Sequence, residues 1–171
     1  MWVTDIAHKR PISRNFSKGG MIRPIHGLVL HIQEGKEEGT FHWFNDPRAK
    51  ASSHFGNPKR GKLEQFVDTH DAAWTQKSGN HHWISVENEG KHGDTLTMTQ
   101  IENLAALMNW LHDHEGVPLK LANSPASFGL GYHSMGGKAW GHQQCPGKPI
   151  IHQRSTILAV ADLLRGFRLT T

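Results

Sequence analysis

Two histidines and the chain's one cysteine fall within a single glycine-rich stretch, residues 131–147, which holds His133, His142 and Cys145. Thiolate and imidazole are good ligands for zinc, which prefers four donors in a tetrahedron. Cys145 with one of His133 or His142, joined by His31 from the apolar run at 27–32, gives three protein ligands. Three is the number found where a catalytic zinc keeps its fourth position open for water. One Zn²⁺ held that way lowers the pKa of the water toward neutrality and polarises a carbonyl. A separate carboxylate can take the water proton and pass it to a leaving amine; Glu87, late in Trp83-Ile84-Ser85-Val86-Glu87-Asn88-Glu89-Gly90, is either such a general base or simply a rim residue. The commoner zinc signatures, HExxH and paired CxxC, are absent from the sequence.

These residues need a scaffold, and the pattern of the chain outlines one. The run at 27–32 is short and rich in aliphatic residues, as expected of a strand buried on both faces, with His31 near its end. A short helix is expected over 36–45, stopped by Pro47. Strand-like pieces at 53–55 and 63–67 flank a polar, basic segment that reads as a hairpin loop. A further strand covers 82–88. Side chains alternate along it, so Glu87 and Glu89 share a face with Trp83 and Ser85, opposite Ile84, Val86 and Asn88. The clearest helix follows. Thr97 with Gln100, and Thr99 with Glu102, have capping-box spacing. Ile101, Leu104, Ala105, Met108 and Leu111 form an apolar stripe, and Gly116 sits where a C-terminal cap belongs. Residues 123–147 lack any period and read as a long functional loop. A last helix is expected over 153–164, ended by Gly166. The fold class is therefore α/β: one domain, with a central mixed sheet flanked by helices on both faces. Residues 1–25 are expected to be an irregular segment, and 26–171 the working domain.

Composition sets the outer limits. A chain of 171 residues suits one core. A lone cysteine excludes an internal disulfide, so the fold needs no oxidising compartment. The formal charge of +4 suits an anionic partner. The first twenty residues lack the continuous apolar segment of a secretory signal, and no run approaches the roughly 20 apolar residues of a membrane span. Neither an ordinary secretory signal nor membrane insertion is expected.

From Ile25 to the last helix, the chain resembles the N-acetylmuramoyl-L-alanine amidase type 2 family, which includes phage lysozyme-type amidases and peptidoglycan recognition proteins. Four blocks carry the resemblance in order: Leu28-Val29-Leu30-His31; Ser53-His54-Phe55 with Gly61-Lys62-Leu63-Glu64-Gln65-Phe66-Val67; Ala73-Trp74 with Gly79-Asn80 and Ile84 to Gly90; and Gly131-Tyr132-His133 with Cys145-Pro146-Gly147. The resemblance implies zinc on His31, His133 and Cys145, with His142 as a competitor for the second place. It implies Glu87 as the acid assisting the water, and hydrolysis of the bond between the lactyl group of N-acetylmuramic acid and the first L-alanine of the stem peptide. Many relatives carry a lysine two residues before the third ligand; here that position is Gln143. His142 or Lys138 would then have to steady the oxyanion. Trp74, Asn80 and Trp140 are candidates to line the glycopeptide groove.

The implied partner is peptidoglycan or a muropeptide, not nucleic acid, acted on in the periplasm or cell wall by a monomer. A phage endolysin and an exported antibacterial toxin, with secretion machinery and an immunity protein, both fit. Two other classes compete: a non-catalytic peptidoglycan-binding module, and an amidase with Cys145 as nucleophile. The retained ligands together with Glu87 argue against the first. Pro146 argues against the second, because it removes a backbone N–H that often serves the oxyanion.

Overall fold

The computed structural model describes residues 1–3 and 5–168. Strand β3 (Gly27–Ile32) crosses the middle of the molecule with all six residues buried. A strand covered on both faces has no solvent side to mark with polar residues, which is why Leu28, Val29 and Leu30 stand in a row. Its neighbours β7 (Trp83–Asn88) and β8 (Gly129–Tyr132) both run parallel to it. Outside β7, β4 (Phe55–Asn57) adds in parallel, β5 (Leu63–Gln65) pairs antiparallel with β4, and β1 (Ala7–Lys9) pairs parallel with β5. The result is one mixed sheet of order β1-β5-β4-β7-β3-β8. A separate small ribbon pairs β2 (Phe16–Ser17) with β6 (Ala72–Ala73).

Alternation along the strands separates two faces. Leu28, Leu30, Ile84 and Val86 join the main core with Leu104, Leu107 and Leu111 of α2 (Met98–Glu115) and Ile150 and Ile157 of α4 (Lys148–Arg168). Each such fully buried aliphatic side chain contributes about 1.5–3 kcal/mol, so this face anchors the sheet. Val29 and Trp83, of opposite parity, pack with Trp140 of α3 (Gly137–Trp140). His31, Ser85 and Glu87 have the same parity as these two and so emerge on the less apolar face. Helix α1 (Glu37–Asn45) covers the outer part of that face, with Phe44 edge-on to Phe66. The sequence expectation of a central mixed sheet with helices on both faces describes this architecture. Helix α2 starts at the Thr97–Gln100 capping box and stops at Gly116, whose φ of 69° is the left-handed cap. Among the described residues no helix is long and apolar enough to cross a membrane.

Elsewhere the structure differs from expectation. Residues 1–25, read as irregular, supply β1 and β2, and Val3, Ala7, Met21 and Ile25 enter the main core. Residues 123–147, read as a loop, contain β8, a 3-10 turn (His133–Gly136) and α3. Strand β8 reads Gly-Leu-Gly-Tyr and carries no β-branched residue to announce it. Its glycines answer a steric demand: Gly129 has φ +129°, and a Cβ there would lie 2.1 Å from the Lys120 carbonyl oxygen. The last helix begins at Lys148 instead of 153 and runs past Gly166. Pro149 is tolerated in its first turn, where a missing N–H costs no helical hydrogen bond.

Candidate metal centre

Parallel pairing brings the ends of β3, β7 and β8 to one edge of the sheet, the usual place for a ligand site in an α/β fold. His31 is the fifth residue of β3 and lies in register with Glu87 on β7. His133 follows β8 directly. Cys145 arrives on the segment leading into α4, and its carbonyl accepts a hydrogen bond of 2.9 Å from the Ser134 N–H, tying the two loop ligands together. The donor atoms of His31, His133 and Cys145 all lie within 4.8 Å of one another. His31 Nδ1 is 3.9 Å from Cys145 Sγ, and the two imidazole centroids are 4.4 Å apart. Zinc bonds of about 2.0 Å to nitrogen and 2.3 Å to sulfur, at tetrahedral angles, separate donors by about 3.5 Å. Donors already within 4.8 Å of one another are close to that separation.

The electrostatics suit a cation. Burial, then the neighbouring His133, hold His31 well below the usual histidine range; burial also lowers His133. Both imidazoles are therefore neutral, as ligands must be. His133 Nε2 donates to the Trp140 carbonyl at 3.0 Å, which leaves Nδ1 as its free donor atom. Burial, and secondarily Glu87, push the Cys145 thiol up. Without a cation it stays a thiol, the opposite of the lowered pKa that a cysteine nucleophile needs. Burial also pushes the Glu87 carboxyl up to about 8, helped by Glu37 and Glu34. Its Oε1 is 3.9 Å from His31 Nδ1, while its buried Oε2 has no hydrogen-bond partner. Buried carboxyl oxygens are normally satisfied. One left open beside two imidazoles and a thiol is suited to a water or a cation. The residues present thus fit a zinc ion.

The remaining candidates fall at different distances from this cluster. His142 is exposed, with its ring centroid 5.3 Å from that of His133, and lies outside the three-donor group. Glu89 lies beyond the end of β7, where its Oε2 accepts from the Lys59 N–H at 2.8 Å. A cleft of about 520 Å³ opens beside the metal cluster, walled by Lys50, Trp74, Lys77, Asn80, His133 and His142. Trp74 is 38% exposed there, and its indole N–H donates to Ser17 Oγ. Asn80 turns its side-chain oxygen inward to accept from the backbone N–H groups of Thr75 and Gln76. Trp140 contacts the cleft, but its side chain is only 3% exposed, and its carbonyl is what faces His133. Gln143 and Gln144 line a second cleft, with Tyr132 and Ser134.

Sequence reasoning missed three residues. Gln76 is fully buried, with Oε1 3.2 Å from His31 Nε2. Lys77, in a left-handed conformation at φ 48°, lays its side chain against Gly141 on the cleft wall. Glu37 is buried in the first turn of α1. No periodicity marks any of them, and no motif in the sequence singles them out.

Residues 21–148 match the family model described as N-acetylmuramoyl-L-alanine amidase. The chain belongs to that family. A curated relative, N-acetylmuramoyl-L-alanine amidase A of Achromobacter lyticus, is 32% identical over 68 residues, or 39% of this chain and 38% of that protein. The match therefore spans little more than a third of the relative's length. Among solved structures, a selenomethionine derivative of AmpD superposes with a TM-score of 0.69 at 19% identity, covering 92% of this chain and 96% of that one. Staphylococcus aureus AmiA, solved in complex with its ligand, gives 0.68 at 16% identity, covering 91% and 80%. These structural likenesses are of fold. Within this amidase-family chain, the edge where the parallel strands end carries the His31, His133 and Cys145 group, which could hold a metal ion.

Proposed function

We propose that the chain is a zinc-dependent N-acetylmuramoyl-L-alanine amidase that hydrolyses the lactyl–L-alanine amide bond of peptidoglycan. The observation that carries this reading is the buried His31, His133 and Cys145 cluster with the open Glu87 oxygen beside it, in a chain of this family. The printed name of the curated relative supports the substrate class.

His31, His133 and Cys145 would hold the ion, and bound there it would supply Lewis acidity toward the amide carbonyl and the attacking water. Glu87 takes one proton from that water as its oxygen bonds to the carbonyl carbon. The same carboxyl then delivers the proton to the alanine nitrogen as the C–N bond breaks, so carboxylate and protonated forms alternate through a turnover. In the metal-free chain burial holds this carboxyl up at about 8; beside a bound cation it would shift toward the ionised form that accepts the water proton. His142, exposed with its ring 5.3 Å from that of His133, would donate a hydrogen bond to the carbonyl oxygen as charge builds on it. Trp74 and Asn80 on the cleft wall would contact the glycopeptide, and Trp140 would contribute chiefly by packing.

Metal analysis of the purified protein, together with mass analysis of digested peptidoglycan, tests this reading. The expected result is about one zinc per chain and release of a stem peptide with a free L-alanine amine. A strong chelator should abolish activity, and Zn²⁺ should restore it. Full activity in metal-free protein, ended by one equivalent of a thiol-alkylating reagent, would transfer the chemistry to Cys145.

A further inference from the structure

We propose that Gln76 is a positioning residue for His31, fixing the imidazole in the tautomer that carries its proton on Nε2 and so reserving Nδ1 for the metal. The inference rests on the metal-centre reading for its purpose, but on hydrogen-bond geometry for its substance.

His31 Nε2 and Gln76 Oε1 are 3.2 Å apart, and both side chains are buried. The orientation of the amide decides which atom donates. Gln76 Nε2 lies 3.2 Å from the Gly79 carbonyl oxygen and 3.4 Å from that of Trp83. Carbonyl oxygens only accept, so the NH₂ group must face them and the amide oxygen must face His31. That oxygen can only accept, so His31 Nε2 must carry the hydrogen. The lone pair is thereby left on Nδ1, the atom 3.9 Å from Cys145 Sγ. The other tautomer would set two lone pairs against each other at Nε2 and offer its Nδ1 hydrogen only the Cys145 sulfur, a weak acceptor at 3.9 Å, with Glu87 Oε1 also 3.9 Å away.

The loop holding Gln76 is itself fixed. Asn80 Oδ1 accepts from the Thr75 and Gln76 N–H groups at 3.0 and 2.7 Å, and Thr75 Oγ1 donates to the Ser52 carbonyl at 2.6 Å. Asn80 therefore acts one step further out, holding the residue that holds the ligand. The choice of an amide also has a reason. The second oxygen of a carboxylate would face the carbonyls of Gly79 and Trp83 and repel them. A neutral amide orients the imidazole and leaves the charge at the centre unchanged. Partners of metal-bound histidines act in this way generally, and their loss typically weakens metal binding by about 10–100-fold.

Nitrogen NMR of the metal-free chain, labelled at histidine, reads the tautomer directly, with the His31 signals assigned by their absence in His31→Ala. The wild type should show His31 protonated at Nε2 at neutral pH. In Gln76→Met, which keeps length but removes the acceptor, the two tautomers should mix, and zinc affinity in competition with a chromophoric chelator should fall by about 10–100-fold. A merely structural role for Gln76 would lower thermal stability and leave both readouts unmoved, which would overturn the proposal. Wild-type His31 protonated at Nδ1 would overturn it without any Gln76 variant, so the test survives a Gln76→Met chain that fails to fold. A wild type that binds no zinc, yet shows the Nε2–H tautomer, would sink the metal-centre reading while supporting this one.

Discussion

The Glu87→Gln substitution keeps the length and hydrogen-bonding reach of the side chain but removes its ability to accept a proton at neutral pH. Turnover of a purified muropeptide should fall by about 10²–10⁴-fold, with zinc content unchanged. Glu89→Gln should be mild, because Glu89 is engaged by the Lys59 backbone at 2.8 Å beyond the strand end. A large loss in Glu89→Gln and none in Glu87→Gln would move the role. The histidines divide in a similar way. His31→Ala and His133→Ala should each empty the zinc site, while His142→Ala should keep its zinc and lose rate. Zinc lost only on changing His142 would displace His133 from the ligand set. How much of this was legible beforehand differs residue by residue. The ligand types and the late-strand acid stood out because their chemistry is rare in apolar or glycine-rich surroundings. Parity could not separate Glu87 from Glu89, since both occupy one face and only tertiary contacts, Glu87 to His31 and Glu89 to Lys59, distinguish them. Gln76 could not be read at all: its role depends on two carbonyls that face it only after folding.

Element by element, what the sequence announced was what has a period. The buried run of β3 and the stripe and caps of α2 follow local rules, and both formed where expected. Strands β1 and β8 have three and four residues and owe their existence to a neighbour, so no local pattern betrays them. Strand β8 is held from outside by Arg154 of α4, whose guanidinium donates to the Ala122 and Leu130 carbonyls at 2.8 and 3.0 Å while only 5% exposed. Arg154→Met should destabilise the chain by about 1–3 kcal/mol, since it strands the buried Ala122 carbonyl and leaves that of Leu130 with the Ala122 N–H alone, and urea unfolding would measure it. A change under 0.5 kcal/mol would show that the latch is dispensable. A second element-level test concerns α3. A Cβ at Gly136 would lie 2.1 Å from the Trp140 ring, so Gly136→Ala must displace the residue whose carbonyl receives the His133 N–H. Zinc affinity should drop although no ligand has changed; unchanged affinity would mean that the Trp140 carbonyl is not needed.

For the whole molecule, the buried carboxyl of Glu37 links stability to pH. Burial pushes it from 4.5 up to about 8. The folded chain then keeps a proton that the unfolded chain releases above about 4.5. The stability it contributes is complete below that pH, declines as pH rises, and is gone once pH passes about 8. Between pH 6.5 and 8 the buried His31, His54 and His133, all held below the ordinary histidine value, add little slope, while Glu87, also pushed up to about 8, adds a slope of the same sign that a Glu37 variant retains. Metal-free wild type should therefore lose stability across this window. Glu37→Gln should lose less, standing about 2 kcal/mol above wild type at pH 8 by urea midpoints. Equal slopes would mean that Glu37 is ionised in the fold.

The margins of the sheet carry one more consequence. At one side β1 is three residues long, ending in exposed His8 and Lys9. At the other, the outer edge of β8 is taken up locally, with Leu130 N–H on the Lys120 carbonyl and Ala122 N–H on the Leu130 carbonyl. Neither margin offers a long run of free backbone groups on which a second copy could add a strand. Association by strand addition at either margin is therefore not expected, and a partly opened chain should expose little template for cross-β stacking until α4 has peeled away from β8.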